Sequence, residues 1–196
     1  MTTPGLKEWS AAVHALLSGR QQILLRKGGI GEKRFSIPDG VARSEPFVLF
    51  PTVAHSHAER VRPEHRDLLA PAAADVEDDA VVIRAAARVV AAIEVRRPER
   101  IAELEPWHIW TTASIQADRL DFRPKRRLAV LVVATCRLPP RRLPRLASYA
   151  GCTSWVDLPD LPDLPNQALD DVGPGEPVRQ PLALDEVAAE VRARVG

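Results

Sequence analysis

Cysteine is nearly missing: Cys136 and Cys152 are the two among 196 residues. Two thiols cannot build a disulfide framework, so the expected setting is a reducing cytoplasm. Long apolar runs are lacking too. None approaches the roughly 18 residues that a membrane-crossing helix needs, which excludes such a helix. No basic stretch followed by an apolar core opens the chain, so no signal peptide is expected. Lysine is scarce, with Lys7, Lys27, Lys33 and Lys125 among 27 basic residues. Aromatics make up 5%. Neither sign of charge dominates, the formal net charge being +1, so bulk charge selects no partner.

What remains is globular in composition, 45% hydrophobic and 27% charged. The length fits one domain with a tail. Proline, at 18 residues, is about twice its usual share. The arginine excess suits bidentate phosphate recognition; a GC-rich genome produces the same bias. Charge is segregated along the chain. Residues 119–145 hold nine cations and one acid, and residues 20–34 hold five cations and one acid. Residues 59–79 and 157–196 are acidic. This pattern predicts a bipolar surface, or charges that mix once the chain folds.

Apolar spacing predicts a helix over 6–17, stopped by Ser18-Gly19. A short strand is expected over 22–25, ending in Arg26-Lys27-Gly28-Gly29, where paired glycines call for a turn. A second strand, Phe47 to Phe50, is closed by Pro51. Short helices are expected over 63–69 and 98–104. Residues 81–95 are ambiguous: alanines favour helix, while the valines and isoleucines favour one long strand or two short ones. Residues 128–136 read as a central strand, apolar on both faces. The thrice-repeated Leu-Pro-Asp/Asn pattern over 158–166 predicts an extended segment. The expected organisation is an α+β domain over 1–158, a proline-rich linker over 159–181 and an amphipathic helix over 182–196. The sheet is expected to be small, mixed or antiparallel, curling towards a barrel.

Five separated motifs occur in order: Leu6-Lys7-Glu8-Trp9, Leu24-Leu25-Arg26-Lys27-Gly28-Gly29-Ile30, Phe50-Pro51-Thr52 with His55 close behind, His108-Ile109-Trp110-Thr111, and Gly151-Cys152-Thr153-Ser154-Trp155-Val156. Together they resemble the bacterial domain-of-unknown-function family numbered 1802 (DUF1802). In that family a His-Gln pair follows the Pro-Thr step; here Ser56 follows His55. The family has no established activity. Association of some members with a restriction-endonuclease-like domain implies a link to DNA restriction. A weaker likeness, at the level of fold, is to barrel-forming PUA and ASCH domains. Gly19, Gln21, Leu24 and Arg26 occupy the positions of the ASCH Gly-x-Lys-x-x-Glu-x-Arg signature, and only the glycine and arginine match.

Several groups are candidates for chemistry. Arg26-Lys27-Gly28-Gly29 places two cations before a turn whose backbone N–H groups could approach a phosphate. It lacks the Gly-Lys-Ser/Thr of a P-loop. Arg123, Lys125, Arg126 and Arg127 form a basic loop suited to phosphate contact, or an ordinary solvated one. Trp110 or His108 could meet a base, or Trp110 could be core. His55 and His57 share a strand face without a further ligand at metal spacing, so no metal or cofactor is expected. Cys152 could pair with His55 or His108 as nucleophile and base. Asp79 with Glu94-Val95-Arg96 loosely mimics a metal nuclease motif.

The sequence thus predicts a non-catalytic nucleic-acid-binding or accessory module, for DNA or RNA, linked to restriction or defence. Its contacts would be Arg26, Lys27, Gly28, Gly29, Trp110, Arg123, Lys125, Arg126 and Arg127. One alternative is an enzyme, a phosphodiesterase or nuclease, with His55, His108, Cys152 and Ser154 near Lys7, Glu8 and Arg26. Another is an assembly protein whose helix over 182–196 docks on a restriction-system partner or on a second copy, rather than on its own core.

Overall fold

The computed structural model describes residues 2–27, 46–53, 57–122, 124–151, 153–159 and 176–196. The chain opens with strand β1 (Thr2–Trp9), which turns directly into helix α1 (Ser10–Leu17). The first third of the helix expected over 6–17 is therefore strand. Leu6 and Trp9 mimic a helical stripe, but Pro4 and Gly5 disfavour helix and two neighbouring strands claim the backbone. Parallel pairing sets Gly5 to Trp9 against Val48 to Thr52, and antiparallel pairing sets Thr2 to Leu6 against Pro159 to Trp155. Gly5 permits this close approach: a Cβ there would lie 3.0 Å from Leu158 Cδ1 and Val156 Cγ2. Helix α1 is almost wholly buried, and its alanines 11, 12 and 15 let it lie close on the sheet. Gly19, at φ +72°, ends it in the left-handed conformation that glycine adopts most easily.

The expected strand over 22–25 is β2 (Ile23–Lys27), and Phe47 to Phe50 lies in β3 (Phe47–Thr52), which continues through Pro51. A short helix α2 (His57–Arg60) is followed by a 3₁₀ turn (Pro63–Leu68) and helix α3 (Leu69–Ala74). Residues 81–95 resolve as one long strand, β4 (Ala80–Glu94). A 3₁₀ segment (Pro98–Trp107), helix α4 (Thr112–Ile115) and a π-helical turn (Gln116–Asp121) lead to β5 (Leu128–Pro144). A 3₁₀ turn (Ala147–Tyr149), β6 (Trp155–Pro159), β7 (Glu176–Pro177) and helix α5 (Leu184–Val195) complete the described fold.

The sheet order is β2-β5-β4-β3-β1-β6, with β7 added alongside β5. Every described neighbour pair is antiparallel except β1 with β3. The expectation of an α+β fold around a mixed sheet holds, but the sheet is open and does not close into a barrel: β2 and β6 lie at opposite ends of the strand order. The long β4–β5 pair bends instead at two register shifts, between Ile83 and Ala85 and between Val89 and Ala91. Pro139 and Pro140 fall at the first shift, where missing backbone donors do least harm to the ladder.

Two ties fix the helices. Asp75, 1% exposed, accepts from Arg84 Nε at 2.7 Å and bonds His14 Nε2 at 2.7 Å, joining α1, the end of α3 and β4. Helix α5 buries Val187, Val191 and Val195 in the same core as Ile101, Leu104 and Trp107. The Arg97 guanidinium donates to the α5 carbonyls of Arg192 and Ala193, at 3.2 and 2.8 Å. It thereby satisfies acceptors that a helix end leaves open. Glu176 and Pro177 pair with Arg137 and Cys136; residues 160–175 of the proline-rich stretch lie outside the described residues.

Candidate functional site

The motif residues converge at the C-terminal end of β1. Because strand side chains alternate in direction, Lys7 and Glu8 leave on opposite faces. Lys7 Nζ donates to the Gly151 carbonyl at 3.1 Å and to Thr153 Oγ1 at 3.3 Å, and its backbone N–H donates to the Ser154 carbonyl at 2.9 Å. Thr52 Oγ1 donates to the Glu8 carbonyl at 3.1 Å. Glu8 itself is 5% exposed. Its carboxylate accepts from the Trp9 N–H at 2.8 Å and from Arg26 Nη1 at 3.0 Å. Arg26, read from the sequence as a phosphate contact, points inward and also donates to the Lys7 carbonyl at 2.9 Å.

Around Glu8 lies a charged, aromatic layer that the sequence did not reveal. The guanidinium carbons of Arg60 and Arg119 sit 5.3 and 5.2 Å from the Trp9 ring centroid, within cation–π reach. Arg60 Nε donates to Asp118 at 2.5 Å. Burial lowers the pKa of Arg119, and the nearby Glu8 carboxylate offsets part of that shift. Trp110, the expected stacking residue, is 6% exposed and meets Trp9 edge-on at 4.8 Å. His108 is 1% exposed and lies elsewhere, with its carbonyl accepting from Arg62. Its Nδ1 accepts from the Trp110 N–H at 3.2 Å, while Nε2 is buried without a partner. Burial holds its pKa down at about 3, so the ring is neutral. Thr111 caps α4 by accepting from the Ser114 N–H. The motif over 108–111 is therefore accounted for by architecture.

On the other side of β2 the arrangement changes. The Lys27 ammonium donates to the carbonyls of Arg119, Leu120 and Phe122, closing the end of the π-helical turn. Desolvation lowers its pKa, as does repulsion from Arg119 and Arg126. Lys27 also lines an open cavity of about 540 Å³, together with Arg96, Lys125, Arg126 and Arg127. Five cations face two acids there, Glu99 and Asp121, over a partly apolar lining that includes Val95 and Leu120. Arg127 is held by Glu94 at 2.7 and 2.9 Å yet stays 68% exposed.

The basic run over 119–145 is not one surface. Strand β5 carries its second half away: Arg137 donates to the Leu17 carbonyl, and Arg142 pairs with Glu77 and Asp79. At that end the acidic and basic segments do mix. Asp79 and Glu94 bracket the 15-residue β4, tens of ångströms apart at about 3.3 Å per residue, so they cannot share a metal ion. Among the described residues no group of three His, Cys, Asp or Glu side chains could hold one, and no helix is long and apolar enough to cross a membrane. Gly28, Gly29, His55, Arg123 and Cys152 lie outside the described residues. Arg96, which the sequence offered only within the loose nuclease mimic, lines the groove.

No curated protein and no solved structure matches the chain. The model of one family, Domain of unknown function (DUF1802), matches residues 5–172. That span takes in all five motifs, and the chain belongs to this family.

Proposed function

We propose that the chain is a non-catalytic module that binds nucleic acid, in a role accessory to DNA restriction or defence. One observation carries the binding reading: five cations from β2, the end of β4 and the segment before β5 converge on a single open groove. Cations so gathered release counterions when they meet a phosphate backbone, which drives sequence-independent binding. The restriction role rests on the family resemblance alone. Arg26 serves this surface indirectly, through the Glu8 ion pair, while Lys27 both lines the groove and closes the π-helical turn.

The test replaces Lys125, Arg126 and Arg127 together by alanine and follows binding of labelled DNA and RNA by fluorescence anisotropy at two salt concentrations. Affinity is expected to fall at least about tenfold near 50 mM salt. The salt slope should flatten by about 2–3, given roughly 0.7–0.9 per lost phosphate contact. A triple variant that binds as the parent does would overturn the assignment. A second reading, an enzyme, draws on Glu8 near the C-terminal end of β1, which runs parallel to β3, and on Arg26, which reaches it from β2; that end of parallel strands commonly presents ligand sites. Cleavage of the labelled strand in parallel wells with a divalent metal would favour it.

A further inference from the structure

The size and charge of the groove narrow down which part of a nucleic acid it takes, an inference that rests on the binding reading above. Its cations arrive from three directions. Lys27 ends β2, Arg96 lies just past β4, and Lys125 to Arg127 precede β5. Arg96 is exposed, yet its backbone is fixed: its N–H donates to the Val195 carbonyl at 2.7 Å, at the end of α5. Lys27 is tied to carbonyls of the π-helical turn, so its charge stays in the wall. Cations set round a hollow focus their field within it. A running single strand is better served by a groove that tracks its backbone.

Glu99 and Asp121 also line the groove, and Glu94 holds Arg127. Five cations against those three acids leave a surplus of two positive charges among the described residues. That surplus matches one phosphomonoester, which carries about −1.5 to −2 at pH 7 and presents three acceptor oxygens. The volume, about 540 Å³, is of the order that encloses one drug-sized molecule, and a duplex far exceeds it. Val95, Leu120 and Leu128 add an apolar wall for a sugar or base. We infer that the groove takes a terminal phosphate together with the nucleoside that bears it, at the end of a strand or as a free nucleotide. Arg96 and Lys125 are its contacts, and the guanidinium can meet two phosphate oxygens at once.

The experiment uses the full chain and a short, internally labelled deoxythymidine strand in three forms: with hydroxyl ends, with a 5′-phosphate and with a 3′-phosphate. Anisotropy at about 50 mM salt reads strand binding. Calorimetric titration with thymidine monophosphate, and with thymidine as control, reads the free nucleotide. At least one phosphorylated strand is expected to bind about tenfold or more tighter than the hydroxyl-ended one, as a charged hydrogen-bonded pair would give. Arg96→Gln and, separately, Lys125→Gln are each expected to shrink that preference to about threefold or less. Both side chains are exposed, so thermal melts should match the parent's. If all three strands bind alike and the nucleotide does not bind, the inference fails and the binding reading stands. A preference that survives both substitutions also defeats the inference. If the nucleotide binds and no strand does, the inference holds for a free nucleotide and the nucleic-acid reading falls. A parent that binds neither strands nor nucleotide removes both.

Discussion

His108 shows how much a single buried ring contributes to behaviour in solution. Its folded pKa of about 3 lies below the ordinary 6.5, so the unfolded chain binds the proton first as pH falls. The stabilisation is fully present above pH 6.5 and is lost as pH drops towards 3. His65 shifts in the same direction, chiefly through desolvation with repulsion from Arg62. Between pH 6.5 and 5 the parent should lose about 1 kcal/mol of unfolding free energy per pH unit. His108→Asn retains an acceptor for the Trp110 N–H and has no proton to gain. Urea titrations at several pH values should give it a visibly flatter profile; parallel profiles would contradict the burial argument. Arg26 makes a related point. An arginine before a glycine pair reads from sequence as a phosphate ligand, yet its guanidinium is committed to the buried Glu8 carboxylate. Sequence gives the type of charge and is silent on its partner when that partner is 18 residues away.

At the scale of elements, the strand over 128–136 was legible because its apolar residues run continuously, whereas 81–95, rich in alanine and interrupted by Arg84 and Arg88, left helix and strand open. The helix expected over 6–17 failed in its first third because sheet pairing on both edges outweighs a short stretch of helical spacing. The turn that ends α1 was legible too, from Ser18-Gly19. Its tightness was not: a Cβ on Gly19 would lie 2.9 Å from the Arg179 carbonyl oxygen, and φ is +72°. Gly19→Ala therefore meets both backbone strain and a close contact. It is expected to cost about 1–2 kcal/mol or more, lowering Tm by several degrees in a chain of this size. An unchanged Tm would mean that the segment around Arg179 moves away freely.

For the whole molecule, the expected C-terminal amphipathic helix is real, and its apolar stripe lies on its own sheet. Removing residues 184–196 would uncover Ile101, Leu104 and Trp107, all now 5% exposed or less. The shortened chain is expected to bind a hydrophobic dye and to melt at lower temperature with a broadened transition. A sharp transition near the parent Tm would show that the helix is dispensable. The groove was half legible. Its cations were nominated because they cluster in sequence; Arg96 joins them only through the path of β4. For the remaining arginines of the basic run the sequence left a bipolar surface and mixed charges equally open, because nothing local reveals that β5 carries them to the acidic end of the sheet.

The position of β1 sets an order on biosynthesis. The first strand made is an interior one, flanked by β3 and β6. One edge finds its partner only when residues 47–52 have been translated, and the other must wait for residues 155–159. Such distant pairings carry a large loop-closure penalty. A nascent chain halted before Trp155 holds a strand with an open side, which a chaperone or another nascent copy can reach before the chain's own sixth strand does.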